Sequence, residues 1–266
     1  MRQITDVAEL RELQMQVLDA IDAYCHDNNL TYFISSGTLL GAVRHGGYIP
    51  WDDDIDIYMP RESYERIRRG FNDANGRYKL IDGYNTPGYH YTFTKIVDTE
   101  TILIEGEHPD RQIGIYVDIF PIDYVPEDYV QLEAIFKKKQ RLDHLLIARQ
   151  CPILCTKSIG GILYRLYSRL TTTRLGLLRK YDSLIKNDRQ SSLVCNMTDA
   201  GPKSPKSAFR AEAIASDVDI KFENRTYKTM VGYMEYLEHT YGDYMTLPPV
   251  DKRVHHSFTA YIKNER

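Results

Sequence analysis

Residues 49–60 read IPWDDDIDIYMP, an acidic run enclosed by apolar residues and closed by a proline. Successive side chains of a β-strand point to opposite faces, so an extended stretch would place Asp52, Asp54 and Asp56 on one face. Asp53 would point to the other face, together with the interleaved apolar side chains. Three like charges on one face repel each other unless a cation neutralises them. The stretch therefore predicts a strand that carries a metal site.

The composition is that of an ordinary globular protein. The 266 residues suffice for one large or two small domains, with 42% hydrophobic and 27% charged residues. A net charge of −3 gives no electrostatic case for nucleic-acid binding, so we expect no nucleic-acid partner. The N-terminus lacks the apolar core of a signal peptide, and no apolar run approaches the ~18 residues of a membrane span. These features predict a cytoplasmic protein, with its four cysteines reduced.

Periodicity along the chain predicts an α/β fold with three parts. A helix over 6–27, a short strand in TYFISSG (31–37), a short helix in TLLGAVR (38–44) and a helix over 60–71 surround the acidic strand. Strand-like segments follow up to residue 126, and helical segments dominate after it. We therefore expect a catalytic core over 1–126, a helical insertion over 127–215, and a segment over 216–266 that returns to the core.

Three interpretations of the acidic strand compete. A calcium loop counted from Asp52 needs Gly at its sixth position and Glu at its twelfth, where the chain has Ile57 and Ser63, so this interpretation fails. The D-x-D motif of a sugar-nucleotide glycosyltransferase normally follows a long nucleotide-binding half, whereas only about fifty residues precede it here. A nucleotidyltransferase-type site needs a Gly-Thr turn at a helix N-terminus, a D-x-D strand and a further carboxylate. The chain supplies these in order.

That ordered set consists of Gly37-Thr38, Asp54-x-Asp56 and Asp118. The whole stretch FISSGTLLGAVRHGGYIPWDDDIDIYMPR (33–61) resembles the signature of the LicD family of phosphocholine transferases, relatives of fukutin. TKIVDTET (94–101), GIYVDIFPID (114–123) and YGDYMTLPPVDKRVHH (241–256) are similar to further family blocks, in the expected order. The resemblance implies an α+β nucleotidyltransferase-like mixed sheet with flanking helices and a helical insertion.

The resemblance also implies a reaction. Phosphocholine would pass from CDP-choline to a hydroxyl of a cell-surface glycan, of teichoic acid or lipopolysaccharide type, or of its lipid-linked precursor, with release of CMP. Three alternatives remain open: transfer of ribitol or glycerol phosphate from another CDP-alcohol, a D-x-D glycosyltransferase, and an inactive nucleotide- or glycan-binding relative.

The carboxylates have predicted roles in such a site. Mg²⁺, with Mn²⁺ as the alternative, prefers oxygen ligands and binds substrate phosphates. Asp54 and Asp56 are the first-choice metal ligands, and Asp118 is expected to complete the site and to orient or deprotonate the attacking hydroxyl. Asp52 is expected to be a ligand or to orient one. Asp53 is assigned no catalytic role.

A turn at a helix N-terminus and several basic residues are expected to bind the donor. Gly37 and Thr38 should meet the diphosphate at the helix N-terminus. Arg44 and Lys95 could neutralise phosphate charge, although a lone basic side chain is usually a solvated charge. The family block DKRVHH adds further candidates for phosphate binding or for closing the site: Lys252, Arg253, His255 and His256. Trp51 is either a cation–π platform for a quaternary ammonium group or a core anchor.

A basic stretch at 157–180 has two interpretations. It contains bases but no acid, interleaved with apolar residues, and its glycines favour two short helices over one long helix. One interpretation is a core-packed helix with a basic solvent face. The other is peripheral contact with the inner face of the cytoplasmic membrane, which would suit a lipid-linked acceptor.

Overall fold

The computed structural model describes residues 1–105, 112–154, 158–187, 189–198, 204–249, 253 and 258–263. The chain forms two compact units. The first contains Met1–Ile81, Phe93–Ile122 and Glu212–Arg266, and the second contains Asp82–Thr92 and Asp123–Ala211. These bounds differ from those that the sequence predicts, which lie after residues 126 and 215 and group 82–92 with the first part of the chain.

The first half of the chain is rich in strands. Its elements are β1 Arg2–Ile4, α1 Val7–Asp27, β2 Phe33–Ile34, α2 Ser36–His45, β3 Asp56–Pro60, α3 Arg61–Gly70, β4 Tyr78–Ile81, β5 Thr94–Asp98, β6 Thr101–Glu105, β7 Gln112–Ile113 and β8 Tyr116–Val125. The second half begins with helices. It contains α4 Tyr129–Gln150, α5 Ile159–Thr171, α6 Arg174–Ile185, β9 Leu193–Cys195, β10 Phe209–Arg210, β11 Asp217–Phe222, β12 Arg225–Met230, α7 Tyr233–Tyr241 and β13 Phe258–Ile262.

The main sheet of the first unit is mixed. Its strand order is β4-β5-β8-β3-β2, and β3 runs parallel to β8 while the other neighbours are antiparallel. The central strand β8 is buried over most of its length, which matches a largely apolar sequence interrupted by Asp118 and Asp123. Helix α1 buries a stripe containing Leu10, Val17 and Ile21. This mixed sheet with flanking helices confirms the α+β class.

The first unit also contains a second sheet and a hairpin. The second sheet has the order β1-β13-β6-β7, and β11 pairs with β12 in an antiparallel hairpin. The strands β1 and β13 were not predicted, because each is short and carries little alternation of its own. The segment DIKFENRTYK (219–228) contains most of both strands of the hairpin and the turn between them.

The second unit is built on helices. The side chains of α4 and α6 share one apolar core, whose fully buried members include Leu132, Phe136, Leu177, Tyr181 and Ile185. The stretch 158–185 forms two short helices, α5 and α6, as the glycines predicted. None of the helices in the described part of the chain is long and apolar enough to cross a membrane.

The acidic strand is shorter than predicted. Strand β3 begins at Asp56, so Asp52, Asp53 and Asp54 precede it. The Asp52 N–H donates to the Ile49 carbonyl at 2.9 Å, which turns the chain just before the carboxylates. The expected alternation of these three side chains between two sheet faces is therefore wrong.

Candidate active site

Helix α2 begins at a turn that leaves its N-terminus uncapped. The N-cap residue Ser35 makes no side-chain capping bond, and its buried hydroxyl has no hydrogen-bond partner among the described residues. Ser36 has a φ of 50°, a left-handed conformation that is unfavourable for a residue other than glycine. The first N–H groups of a helix have no intrahelical acceptor, so an uncapped N-terminus favours an anion.

The residues after this turn fix the beginning of β3. The Thr38 hydroxyl accepts a hydrogen bond from the Asp56 N–H at 2.9 Å, and the Ser35 N–H donates to the Asp56 carbonyl at 3.0 Å. A Cβ on residue 37 would lie 2.5 Å from Asp52 Oδ2, so Gly37 leaves space that the Asp52 carboxylate occupies. Both predicted phosphate-binding residues thus position carboxylates, and their contact with a diphosphate stays a prediction.

Three carboxylates, those of Asp52, Asp53 and Asp54, lie close together just before β3, and we call them the acidic cluster. Asp52, Asp53 and Asp54 each offer one oxygen, and these oxygens lie within 4.8 Å of one another. All three residues are partly exposed, and oxygen donors are the ligands that Mg²⁺ prefers, so this set fits a hard divalent cation. Asp53 belongs to this cluster, contrary to the expectation that it points away, because strand alternation begins only at Asp56. The metal-ligand assignments of Asp52, Asp54, Asp56 and Asp118 stay predictions.

Asp56, Asp118 and Lys95 lie side by side on three neighbouring strands. Asp56 is the register partner of Asp118 across β3 and β8, and Asp118 is the partner of Lys95 across β8 and β5. The Lys95 Nζ donates to Asp118 Oδ1 at 2.6 Å and lies 3.3 Å from the Tyr116 ring centroid. Lys95 is 1% exposed and Asp118 is 7% exposed. The lysine therefore anchors a carboxylate, and its predicted contact with a phosphate stays a prediction.

Arg44 lies at the end of α2, close to a second arginine. Its Nη1 donates to the Tyr244 carbonyl at 2.9 Å. Burial lowers the pKa of the Arg44 guanidinium; Tyr241 opposes this shift, and the positive charge of Arg253 lowers the pKa further. Two guanidinium groups close enough to influence each other favour an anion between or beside them.

Arg253 packs on Trp51. The guanidinium carbon lies 4.5 Å from the Trp51 ring centroid, and Nε donates to the Pro248 carbonyl at 3.1 Å. His45 meets the same ring edge-on, with 6.2 Å between centroids. Trp51 is therefore a cation–π platform for a side chain of the protein itself. The other candidates from DKRVHH, Lys252, His255 and His256, lie outside the described residues.

Comparison with known proteins assigns the chain to a family. The lipopolysaccharide cholinephosphotransferase LicD of Haemophilus influenzae is 32% identical over 266 residues, covering 95% of this chain and 98% of that protein. The chain belongs to the LicD family. The family model described as "LicD/FKTN/FKRP, nucleotidyltransferase domain" matches residues 29–145, which include the acidic cluster, Lys95 and Asp118. The resemblance seen in the sequence is thereby confirmed.

Two further relatives match shorter parts of the chain. An uncharacterised protein of Rickettsia typhi is 36% identical over 104 residues, covering 38% of this chain and 31% of that protein. The human ribitol 5-phosphate transferase FKRP is 42% identical over 48 residues, covering 18% of this chain and 9% of that protein.

The sequence patterns did not indicate two further residues that hold the acidic cluster in place. The Arg11 Nη2 donates to the carbonyls of Ile49 and Asp52, both at 3.0 Å, and Gln14 Nε2 donates to the Asp53 carbonyl at 2.6 Å. Arg11 also lies over the Tyr48 ring, 4.6 Å from its centroid. The sequence does contain one indication of this role, because Gln14 is a polar residue within the apolar stripe of α1. A polar side chain that is 2% exposed, as Gln14 is here, requires a hydrogen-bond partner.

We expect Arg11→Met to lower the turnover of this chain by about ten- to a hundredfold, because carboxylates displaced by even 1 Å bind a reacting group poorly. Arg66→Met is the matched control, since Arg66 also donates to loop carbonyls, those of Asn28 and Asn29. Steady-state rates and thermal unfolding would be measured for both variants. Equal loss of rate in both would show that Arg11 contributes only general stability.

Proposed function

We propose that this chain transfers phosphocholine from CDP-choline to a hydroxyl of a lipopolysaccharide-type, lipid-linked glycan and releases CMP. The observation that carries the reaction class is the register of Asp56 with Asp118 on parallel neighbouring strands, where β3 begins beside the uncapped start of α2. Similarity to a lipopolysaccharide cholinephosphotransferase over nearly the whole chain supports choline and the acceptor class.

The donor diphosphate is proposed to bind at basic and N–H groups. The N-terminus of α2 has no capping side chain from Ser35 and offers the positive end of the helix dipole. Arg44 and Arg253 add two positive charges. The electrostatic repulsion between them is reduced when an anion binds. With the phosphates held in this way, the phosphorus atom is presented to the acceptor hydroxyl, and most of the rate gain is positional.

A divalent cation is proposed to complete the site. Asp52, Asp53 and Asp54 would hold Mg²⁺ or Mn²⁺, with Asp56 beside them at the beginning of β3. The ion would neutralise charge on the diphosphate when bound. Gly37 keeps the space for the Asp52 carboxylate, and Arg11 with Gln14 holds the backbone of the cluster.

Asp118 is proposed to accept the proton of the attacking hydroxyl. The hydroxyl oxygen then forms a bond to the phosphorus of phosphocholine, and the bond from that phosphorus to the CMP oxygen breaks. Lys95 donates to Asp118 Oδ1 and so fixes the orientation of the carboxylate.

The direct test is an acceptor-dependent assay. Purified protein, Mg²⁺, lipopolysaccharide and CDP-choline should yield CMP and a lipopolysaccharide whose mass has increased by one phosphocholine group. CDP-ribitol and CDP-glycerol in parallel test the second candidate, transfer of another phospho-alcohol, which the local similarity to a ribitol 5-phosphate transferase favours. Teichoic acid tests the alternative acceptor. Absence of CMP release with every pair of donor and acceptor would contradict a transferase.

We expect Asp118→Asn to suppress the chemical step by about a hundredfold while the affinity for CDP-choline changes little, because a general base acts only in the transition state. Asp123→Asn is the matched control, since Asp123 is also a buried aspartate of β8. Single-turnover rates and calorimetric donor affinities would be measured for both. An equal loss of rate and affinity in Asp118→Asn would make Asp118 a donor-site residue only.

A further inference from the structure

Helix α5 presents its apolar side chains to solvent. Ile159, Leu163 and Leu170 are 75%, 60% and 84% exposed, and Leu166 and Tyr167 on the same face are also exposed. These residues recur at helical spacing and form one continuous stripe, which we call the α5 face. An exposed apolar stripe of this size marks an interaction surface.

The basic residues of α5 point the other way. The Arg165 guanidinium donates to the Ile153 carbonyl at 3.3 Å, and Arg169 Nη2 donates to the Cys151 carbonyl at 2.7 Å. Only Ser168 of this helix is buried. Of the two interpretations of this stretch, a core-packed helix with a basic solvent face is therefore wrong for α5. It holds for α6, which buries Leu177 and Tyr181 and exposes Arg179 and Lys180.

A cationic cavity lies at the end of the α5 face. It has a volume of about 410 Å³, and Arg149, Arg169 and Lys180 line it together with Leu170 and the threonines that join α5 to α6. The described residues that line it include no carboxylate. The Arg169 Nη1 is buried and has no hydrogen-bond partner in the described part of the chain. An unsatisfied guanidinium donor beside a cavity lined by three bases favours the binding of an anion.

We propose that the second unit docks on an anionic lipid surface, with a lipid phosphate in this cavity and the α5 face among the acyl chains. The bases that line the cavity favour an anion, and the exposed side chain of Leu170 beside them favours hydrocarbon. A phospholipid supplies both in one molecule. A symmetric contact with a second copy would instead bring the same cations together, which is unfavourable. This docking does not depend on the proposed reaction, although it would bring a transferase to a membrane-bound acceptor.

The test is co-sedimentation with vesicles, without donor or acceptor. Wild-type protein should pellet with vesicles of phosphatidylcholine and phosphatidylglycerol, and less with phosphatidylcholine alone. Leu170→Gln should weaken binding at least several-fold, and Leu163→Gln with Leu170→Gln should abolish it. Val130→Gln is the matched control, because Val130 is 72% exposed but lies on α4. Lys180→Gln should weaken binding to the anionic vesicles by about fivefold, the contribution of one base near a charged surface.

Several outcomes would overturn the proposal. Failure of the wild-type protein to pellet with anionic vesicles would contradict it, as would a loss of binding in Val130→Gln equal to that in Leu170→Gln. Protection from thermal unfolding by inorganic phosphate, lost in Lys180→Gln and without vesicle binding, would make the cavity a site for a soluble anion. A concentration-dependent dimer that Leu163→Gln with Leu170→Gln dissociates would assign the α5 face to a second copy. Circular dichroism would establish that each variant is folded.

Discussion

Asp54→Asn and Asp56→Asn are each expected to lower phosphocholine transfer by about a hundred- to a thousandfold while the fold survives. The transition state of phosphoryl transfer is stabilised mainly by charges held in place, and these carboxylates are the proposed means of holding the divalent cation. Steady-state turnover at saturating Mg²⁺ would be measured with CDP-choline and lipopolysaccharide. The affinity for Mg²⁺, measured by calorimetry, should fall in both variants.

The fold should survive because the structural bonds at this point belong to the backbone. The Asp56 N–H donates to Thr38 and its carbonyl accepts from Ser35, and asparagine keeps both bonds. Removing one negative charge from the crowded cluster also reduces repulsion, so the unfolding free energy should be unchanged or raised. Asp27→Asn, at an exposed aspartate of α1, is the control for loss of a charge elsewhere. Near-normal turnover of either site variant would contradict the metal assignment.

The sequence predicted which motifs form the site, and in which order along the chain, better than it predicted the local geometry of the acidic strand. Thr38 of the Gly-Thr turn bonds to Asp56 of the D-x-D segment, and Asp56 is the register partner of Asp118 on the parallel strand β8, while the roles of these residues stay predictions. The beginning of β3 could not be predicted from alternation. It depends on the partner strand, whose pairing with β3 starts at Asp56, and on the turn that the Ile49 carbonyl closes.

Long-range contacts account for the other differences. Arg11 and Gln14 reach carbonyls about forty residues away in sequence, and no local pattern indicates which carbonyls they bind. Arg253 meets Trp51 across about two hundred residues. Helix α5 shows the limit of periodicity in another way. Its apolar stripe is regular, but the sequence does not tell whether the stripe faces the core or the solvent.

Lys95→Met is expected to destabilise the first unit by about 3–5 kcal/mol. Methionine keeps the apolar stem of lysine but removes the ammonium group, which leaves the Asp118 carboxylate buried without its nearest positive charge. An uncompensated buried charge is costly, whereas the intact pair contributes little net stability. Amide hydrogen exchange of β5 and β8 would report the local unfolding free energy. Turnover should fall as well, because Lys95 holds the proposed base.

Two variants separate this explanation from a general loss of packing. Lys139→Met removes an equally buried lysine that pairs with Asp143 at 2.9 Å, but the Asp143 side chain is 29% exposed and can be solvated. Exchange in α4 should therefore show a loss of only about 1 kcal/mol. Lys95→Met with Asp118→Asn should be more stable than Lys95→Met alone, because the neutral amide needs no positive charge beside it. If the double variant were less stable than the single one, lost packing around Lys95 would be the cause, and the buried charge of Asp118 would not.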